Sequence, residues 1–282
     1  MKVAFVLGEE SADRIGADLL RALRRRSTGP VEAIGLAGDA LKREGMTSLF
    51  DIEELSIIGV GAVVVRLPQL LNRLRQTVDL ILREKPDVVV TIDSFTFTNR
   101  VARRVRARWP EAVIVNVVPP AIWAYRPARA EILREAVDHS ICLFPFEPDA
   151  LAAHGGPPGT YVGHPLLSEP RLLAILERDA ANGLRSPNRP PHLLLLPGSR
   201  RGEVDRLIDD FGQTLQLLAQ RLPGLAATLP TIPRVRPLVE KAVENWAVKP
   251  RIVEGDDEKW KAFATADAAL AASGTVSLEL AL

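Results

Sequence analysis

The chain has 282 residues, of which 47% are hydrophobic and 25% charged, with a formal net charge of +1. This length favours two domains over one, and the composition is that of a globular protein with a full core. The near-neutral balance supplies no global field for nucleic acid, and a single cysteine, Cys142, excludes an internal disulfide framework.

The apolar opening Lys2–Leu7 stops at Gly8-Glu9-Glu10. It is too short for the core of a signal peptide and reads as a buried first strand. Nowhere does the chain reach the roughly 18 uninterrupted apolar residues of a membrane span. Ser11–Arg26 carries Ile15, Leu19, Leu20 and Leu23 at helical spacing. Val31–Leu36 is predicted as a strand and Pro68–Glu84 as a long helix. Asp87–Ile92 is apolar on both faces, as strands of helix-covered parallel sheets are. A basic helix over Phe97–Trp109, a strand over Ala112–Val118, a helix over Pro127–Val137 and a strand over Ser140–Phe144 continue the alternation.

A shift in composition follows. His154–Pro158 is rich in glycine and proline, Ser186–Pro191 carries three prolines, and Arg171–Ala181 between them reads as a helix. The domain boundary is placed between residues 167 and 168. The alternation then restarts with strand His192–Leu196, helix Gly202–Arg221, strand Leu225–Leu229, helix Arg234–Trp246 and strand Arg251–Glu254. A short helix around Trp260, strand Ala268–Ala271 and a helix opening at Gly274 end the chain. The predicted class is α/β, with two Rossmann-like domains and parallel, doubly wound sheets. The second domain is expected to be incomplete, since the last helix is cut at Leu282.

Ligands of doubly wound sheets gather beyond the carboxyl ends of the strands, and four such loops carry suggestive residues. In Gly8-Glu9-Glu10-Ser11-Ala12-Asp13, Ser11 or Asp13 suits a helix cap, and Glu9 places a carboxylate where a polar substrate would sit. Asp93, in Thr91-Ile92-Asp93-Ser94, suits either a general base for an attacking hydroxyl or a helix N-cap. Leu196-Pro197-Gly198-Ser199-Arg200-Arg201-Gly202-Glu203 combines a glycine, a helix start and an arginine fork. That is either a diphosphate cradle or a plain turn. Ser273-Gly274-Thr275-Val276-Ser277-Leu278-Glu279 opens a helix with small residues; Glu279 is spaced to accept from a ribose diol, or to close a capping box. His139, His154, His164 and His192 show no metal-ligand spacing, so no metal is expected. Trp109, Trp246 and Trp260 read as packing residues, while Trp123, among prolines, suits a pocket wall.

Together these loops resemble the lipid-A-disaccharide synthase family, glycosyltransferases of Gram-negative bacteria with the GT-B architecture. The resemblance rests on Gly8-Glu9-x-Ser11-x-Asp13, Ala37-Gly38, Glu54-Leu55-x-x-x-Gly59, Lys85-Pro86-Asp87, Ile92-Asp93, Trp123-Ala124-Tyr125-Arg126, Pro145-Phe146-Glu147, Gly163-His164-Pro165, Leu196–Arg200 and Ala272–Thr275 with Glu279, in the family's order. It implies transfer of diacylglucosamine from UDP to diacylglucosamine 1-phosphate, with inversion, giving the β-1,6-linked disaccharide precursor of lipid A. It implies Asp93 and Glu9 as catalytic groups. Gly198, Ser199, Arg200, Ser273, Gly274, Thr275 and Glu279 would bind the donor. Ser11, Asp13, Trp123, Arg126 and His164 would line the acceptor side. No cofactor or metal is implied, the UDP-sugar being a substrate. The partners implied are the two acylated sugars and the cytoplasmic face of the inner membrane, with no nucleic acid and with room for a homo-oligomer. The chain departs from the family pattern at Ala12, Ala62, Phe95, Thr96, Pro119, Ala121 and Ser168, mostly on the acceptor side. The alternatives are another UDP-sugar-dependent GT-B enzyme, such as a UDP-N-acetylglucosamine transferase or epimerase, and a non-catalytic relative. The apolar run Ile57–Leu67, with Arg73, Arg75 and Arg83 after it, is expected either to be buried or to meet acyl chains and anionic lipid.

Overall fold

The computed structural model describes residues 1–55, 60–182 and 189–281, and the chain divides into two compact units, Met1–Pro165 and Leu166–Leu282. In the first unit, strands β1 (Lys2–Val6), β2 (Glu32–Gly35), β3 (Val88–Ile92), β4 (Ile114–Val117), β5 (His139–Cys142) and β6 (Gly159–Tyr161) form one parallel sheet in the order β2-β1-β3-β4-β5-β6. Helices α1 (Glu10–Arg26), α2 (Asp39–Arg43), α3 (Val60–Glu84), α4 (Phe95–Arg108), α5 (Arg129–Arg134) and α6 (Glu147–Ala153) connect them. The four residues Val3–Val6 are fully buried, as are Val89, Ile92 and Ile114. This is the burial that strands apolar on both faces require, because helices cover the sheet.

In the second unit, β7 (His192–Leu196), β8 (Ala226–Thr231), β9 (Arg251–Glu254) and β10 (Ala268–Ala271) form a parallel sheet in the order β10-β7-β8-β9. Helices α7 (Pro170–Asn182), α8 (Arg201–Arg221), α9 (Arg236–Val243), α10 (Asp256–Thr265) and α11 (Thr275–Ala281) complete it. Leu193 and Leu195 pack with Val204, Ile208, Phe211 and Leu215 of α8, while Leu194 and Leu196 pack with Ala262 of α10. The strand's alternation therefore feeds helices on both faces.

Four elements depart from the sequence expectations. Helix α3 starts at Val60 rather than Pro68, so Pro68 lies in its interior, where it removes a backbone donor. Helices α2 and α6 and strand β6 are too short to show a hydrophobic period.

Gly35 closes β2 at φ +111°, and a β-carbon there would overlap the carbonyl oxygen of Phe5 on β1. Gly35→Ala should therefore cost at least about 2 kcal/mol of unfolding free energy, from the φ penalty plus the clash. Urea unfolding checks this, and an unchanged midpoint contradicts it.

Candidate functional site

The order β2-β1-β3 makes the chain reverse its direction of travel between β1 and β3, and β10-β7-β8 does the same between β7 and β10. Such reversals leave a crevice outside the carboxyl ends of the two strands, where ligands of open α/β sheets bind. In the first unit Val6 is in register with Thr91, so the loops bearing Glu9 and Asp93 leave the sheet side by side. In the second, Leu196 is in register with Ala271, and the Ala272 N–H donates to the Leu196 carbonyl at 2.8 Å. The loops bearing Arg200 and Ser273 thus also leave together. All four loops singled out in the sequence lie at the two reversals.

The first reversal holds strained backbone. Asp93 (φ +48°) and Ser94 (φ +44°) are consecutive left-handed residues, and Val118 (φ +62°) and Arg126 (φ +55°) follow in the loop after β4. Non-glycine residues there cost roughly 1–3 kcal/mol each and persist where surrounding structure enforces them, often at active sites. Ser94, not Asp93, is the N-cap residue of α4, and it makes no side-chain capping bond. The Asp93 carbonyl instead accepts from Thr98 Oγ1 at 2.7 Å. The N-cap position itself thus falls one residue after Asp93. A β-carbon on Gly8 would meet Ser94 Oγ at 3.1 Å, so the β1 loop must carry glycine where the β3 loop passes.

Asp13 is a correction. It was expected to cap α1 or to line the acceptor side, but the N-cap of α1 is Glu9, with no side-chain capping bond. Asp13 is buried, and its carboxylate accepts from the backbone N–H groups of Gly38 (2.8 Å), Ala40 (2.7 Å) and Leu41 (3.3 Å) at the start of α2. A negative charge on these unpaired amides is stabilising. A β-carbon on Gly38 would meet Asp13 Oδ2 at 2.6 Å. The segments Gly8–Asp13 and Ala37–Gly38 are thus one structural device. Ser11 is half-buried at the start of α1.

Past the ends of β4, β5 and β6 stand aromatic side chains. Trp123 meets Phe146 edge-on at 4.8 Å, Phe144 stacks on Phe146 at 5.7 Å, and His164 lies 5.8 Å from Phe144. Burial lowers the His164 pKa from its ordinary 6.5, which keeps the ring neutral at pH 7. Glu147, almost fully buried, accepts from the N–H groups of Leu143 (2.7 Å) and Phe144 (2.9 Å) and so fixes the loop that bears the aromatic rings. Burial outweighs those bonds and raises its pKa above 4.5. The folded state therefore holds the proton more tightly, and stability falls as pH rises from about 4.5 through the raised value. Glu147→Gln keeps an acceptor and should remove that slope, so its stability relative to the parent should grow across the window. Parallel stability–pH curves contradict this. Burial likewise pushes the Cys142 thiol up to about 11, which makes it an inert packing residue.

At the second reversal, Gly198 has φ +119°, and a β-carbon there would meet Glu203 Oε2 at 2.7 Å. Glu203 folds back from α8: its Oε2 accepts the Arg200 N–H at 3.4 Å, and its Oε1 accepts from Arg200 Nη1 at 3.1 Å. The Ser199 carbonyl accepts from Arg234 Nη2 at 3.2 Å. Ser273 and Gly274 are exposed ahead of α11, which begins at Thr275. Glu279 is nearly buried against Lys259 Nζ, at 2.6 and 2.8 Å from its two oxygens. Lys259 in turn lies over the Trp260 and Phe263 rings, at 5.4 Å from each. A ribose diol would share Glu279 with this lysine. Sequence reading gave Glu203 no role, although its spacing three residues after Arg200 is that of a capping box, and it missed Lys259, which lies twenty positions from Glu279.

Among the described residues no group of three or more His, Cys, Asp or Glu is placed to hold a metal ion. Of the run 57–67, residues 57–59 lie outside the described residues, and only Leu67 has a described side chain. Arg73, read either as part of a solvated helix or as facing anionic lipid, donates to both oxygens of Glu54 at 2.8 Å and lies over the Phe50 ring.

Comparison with known proteins adds the family. The family described as lipid-A-disaccharide synthetase matches residues 3–282. A lipid-A-disaccharide synthase of Nitrobacter winogradskyi is 49% identical over 281 residues, covering 100% of this chain and 70% of the relative. One from Rhodopseudomonas palustris is 50% identical over 280 residues, covering 99% and 70%. Among solved structures, UDP-GlcNAc 2-epimerase from Neisseria meningitidis, bound to UDP-GlcNAc, superposes with a TM-score of 0.65 at 16% identity, covering 98% of this chain and 79% of that one. The S. aureus MnaA–UDP structure gives 0.66 at 16% identity, covering 99% and 76%. These likenesses establish a fold of two Rossmann-like domains, the GT-B architecture. With the match running across nearly the whole chain, the protein belongs to the lipid-A-disaccharide synthase family.

Proposed function

We propose that this chain moves 2,3-diacylglucosamine from its UDP carrier to the 6-hydroxyl of 2,3-diacylglucosamine 1-phosphate, inverting the anomeric carbon. Its class is that of its family, a hexosyltransferase of lipid A disaccharide formation. In the proposed step Asp93 takes the proton of the acceptor hydroxyl as its oxygen bonds to the sugar's C1. The C1–O bond to the diphosphate breaks, and its electron pair leaves on UDP. Glu9 lies in the adjacent loop, where it orders the polar end of the acceptor. Arg200, the backbone around Gly198 and Ser199, and Ser273–Thr275 receive the diphosphate, whose growing charge they stabilise without a metal. Glu279 accepts from the ribose. The observation that carries this reading is the coincidence of all four motif loops with the two sheet reversals. UDP release should require both acylated sugars and persist in chelator. Release without acceptor, or none with both present, contradicts it.

Both substrates carry acyl chains, so we place the enzyme peripherally on the cytoplasmic face of the inner membrane. No described helix is long and apolar enough to cross a membrane. Leu67 and Leu71 on α3 are 44% and 49% exposed, and apolar side chains of this kind enter the lipid interface. Replacing both with serine should weaken sedimentation with anionic vesicles several-fold at low salt. Equal sedimentation of parent and variant contradicts the placement.

A further inference from the structure

The turn Trp123–Arg126, in the loop between β4 and α5, and the first residue of α5 carry a pair of arginines, Arg126 and Arg129, that no carboxylate among the described residues pairs with. Arg126 sits in the left-handed region, and its carbonyl accepts the Arg129 N–H at 3.0 Å, so one turn fixes both residues. The Arg126 and Arg129 guanidinium carbons lie 4.8 and 5.7 Å from the centre of the same Tyr125 ring, and Arg129 is also 5.0 Å from Phe95. Some arginines of this unit meet acids, as Arg73 does Glu54, Arg103 does Glu135 and Arg106 does Asp138; what sets Arg126 and Arg129 apart is that they share one ring. Among the described residues Arg126 and Arg129 have no acidic partner. Stacking on rings occupies the faces of the guanidiniums and leaves their N–H edges for an acceptor. Two cations against one ring repel each other unless an anion joins them. A phosphate monoester, with up to two charges and three acceptor oxygens, fits two such forks.

Two further observations fix the kind of anion. Phe95, under Arg129, is two residues from Asp93, so the pair lies close to the loop that bears the proposed base. On the other flank, Trp123 and Phe146 meet edge-on while remaining 42% and 46% exposed. A paired cationic site beside an apolar aromatic shelf matches an amphiphile with a phosphate at one end and hydrocarbon beside it.

We propose that Arg126 and Arg129 form the subsite for the phosphate of the acylated acceptor, with Trp123 and Phe146 as a shelf for one of its acyl chains. This rests on the transfer reaction proposed above. In that reaction the acceptor's phosphate is on C1 and its attacking hydroxyl on C6, across one sugar ring. Holding the phosphate at the arginines leaves the hydroxyl one sugar's width away.

The test is calorimetric titration of a water-soluble, short-chain diacylglucosamine 1-phosphate and of its dephosphorylated form, each onto the parent and its variants. The parent should bind the phosphorylated sugar more tightly. Arg126→Ala and Arg129→Ala should each weaken that binding about tenfold or more, while binding of the dephosphorylated sugar and of UDP stays level. Arg126→Lys and Arg129→Lys keep the charge but lose the fork and should fall between; they decide the matter if the alanine variants melt early. Phosphate discrimination preserved in the variants overturns the subsite. So does loss of binding to phosphatidylglycerol vesicles with unchanged titrations, which would make the pair a contact for membrane headgroups. A parent that binds the phosphorylated acceptor in this way yet forms no disaccharide keeps the subsite and refutes the reaction. One that does not discriminate yet forms disaccharide does the reverse.

Discussion

Asp93→Asn should lower transferase turnover by about 10²- to 10⁴-fold, the range for removing a positioned general base, with little change in melting temperature. The two effects separate because Asn keeps the size of Asp93 and can still cap a helix, while the N-cap position of α4 itself belongs to Ser94. Asparagine also tolerates the left-handed conformation that Asp93 adopts at φ +48°. The substitution keeps the side chain's size and backbone conformation and takes away the carboxylate charge. Affinity for UDP should be unchanged, since the donor groups lie in the other unit. Turnover kept within a few-fold of the parent would remove Asp93 from the chemistry. A large fall in melting temperature would make its role structural.

Arg200→Ala should weaken UDP binding by roughly 1.5–3 kcal/mol, or about 10- to 100-fold, the scale of a charge-assisted hydrogen bond. In the structure Arg200 donates to Glu203 at 3.1 Å, a partly exposed pair that contributes little stability. A diphosphate entering at the start of α8 offers more acceptor oxygens and a larger charge, so exchange of partners favours the ligand. The melting temperature of the ligand-free variant should consequently stay close to the parent's. Calorimetry showing unchanged UDP affinity would contradict the assignment.

Much of this was legible in the sequence, for physical reasons that can be traced. Strands such as Val88–Ile92 and His192–Leu196 are apolar on both faces, and that pattern has few other solutions. Glycine or a polar residue immediately after such a strand marks a loop at the ligand end, so Gly8, Asp93 and Gly198 stood out. Hidden from the sequence was which way a side chain turns once it is there. Asp13 reads the same whether it faces a ligand or the amides of α2, and only the fold brings Gly38 to it. Arg129 reads as one more basic helix residue until folding lays it over Tyr125 and Phe95. Lys259 and Glu279 are twenty positions apart, beyond the reach of any local rule. Short elements such as α2, with five residues, are held by such contacts rather than by their own periodicity, and for that reason they went unseen.

The central claim is that the chain carries out a single inverting displacement from a UDP-sugar donor onto an acylated acceptor. The most direct measurement is proton NMR of the sugar product formed by the purified chain from UDP-2,3-diacylglucosamine and 2,3-diacylglucosamine 1-phosphate. A β-1,6-linked disaccharide that keeps the acceptor phosphate, formed in step with released UDP, is the predicted result. An α-linked product, or free diacylglucosamine from hydrolysis of the donor, would contradict it.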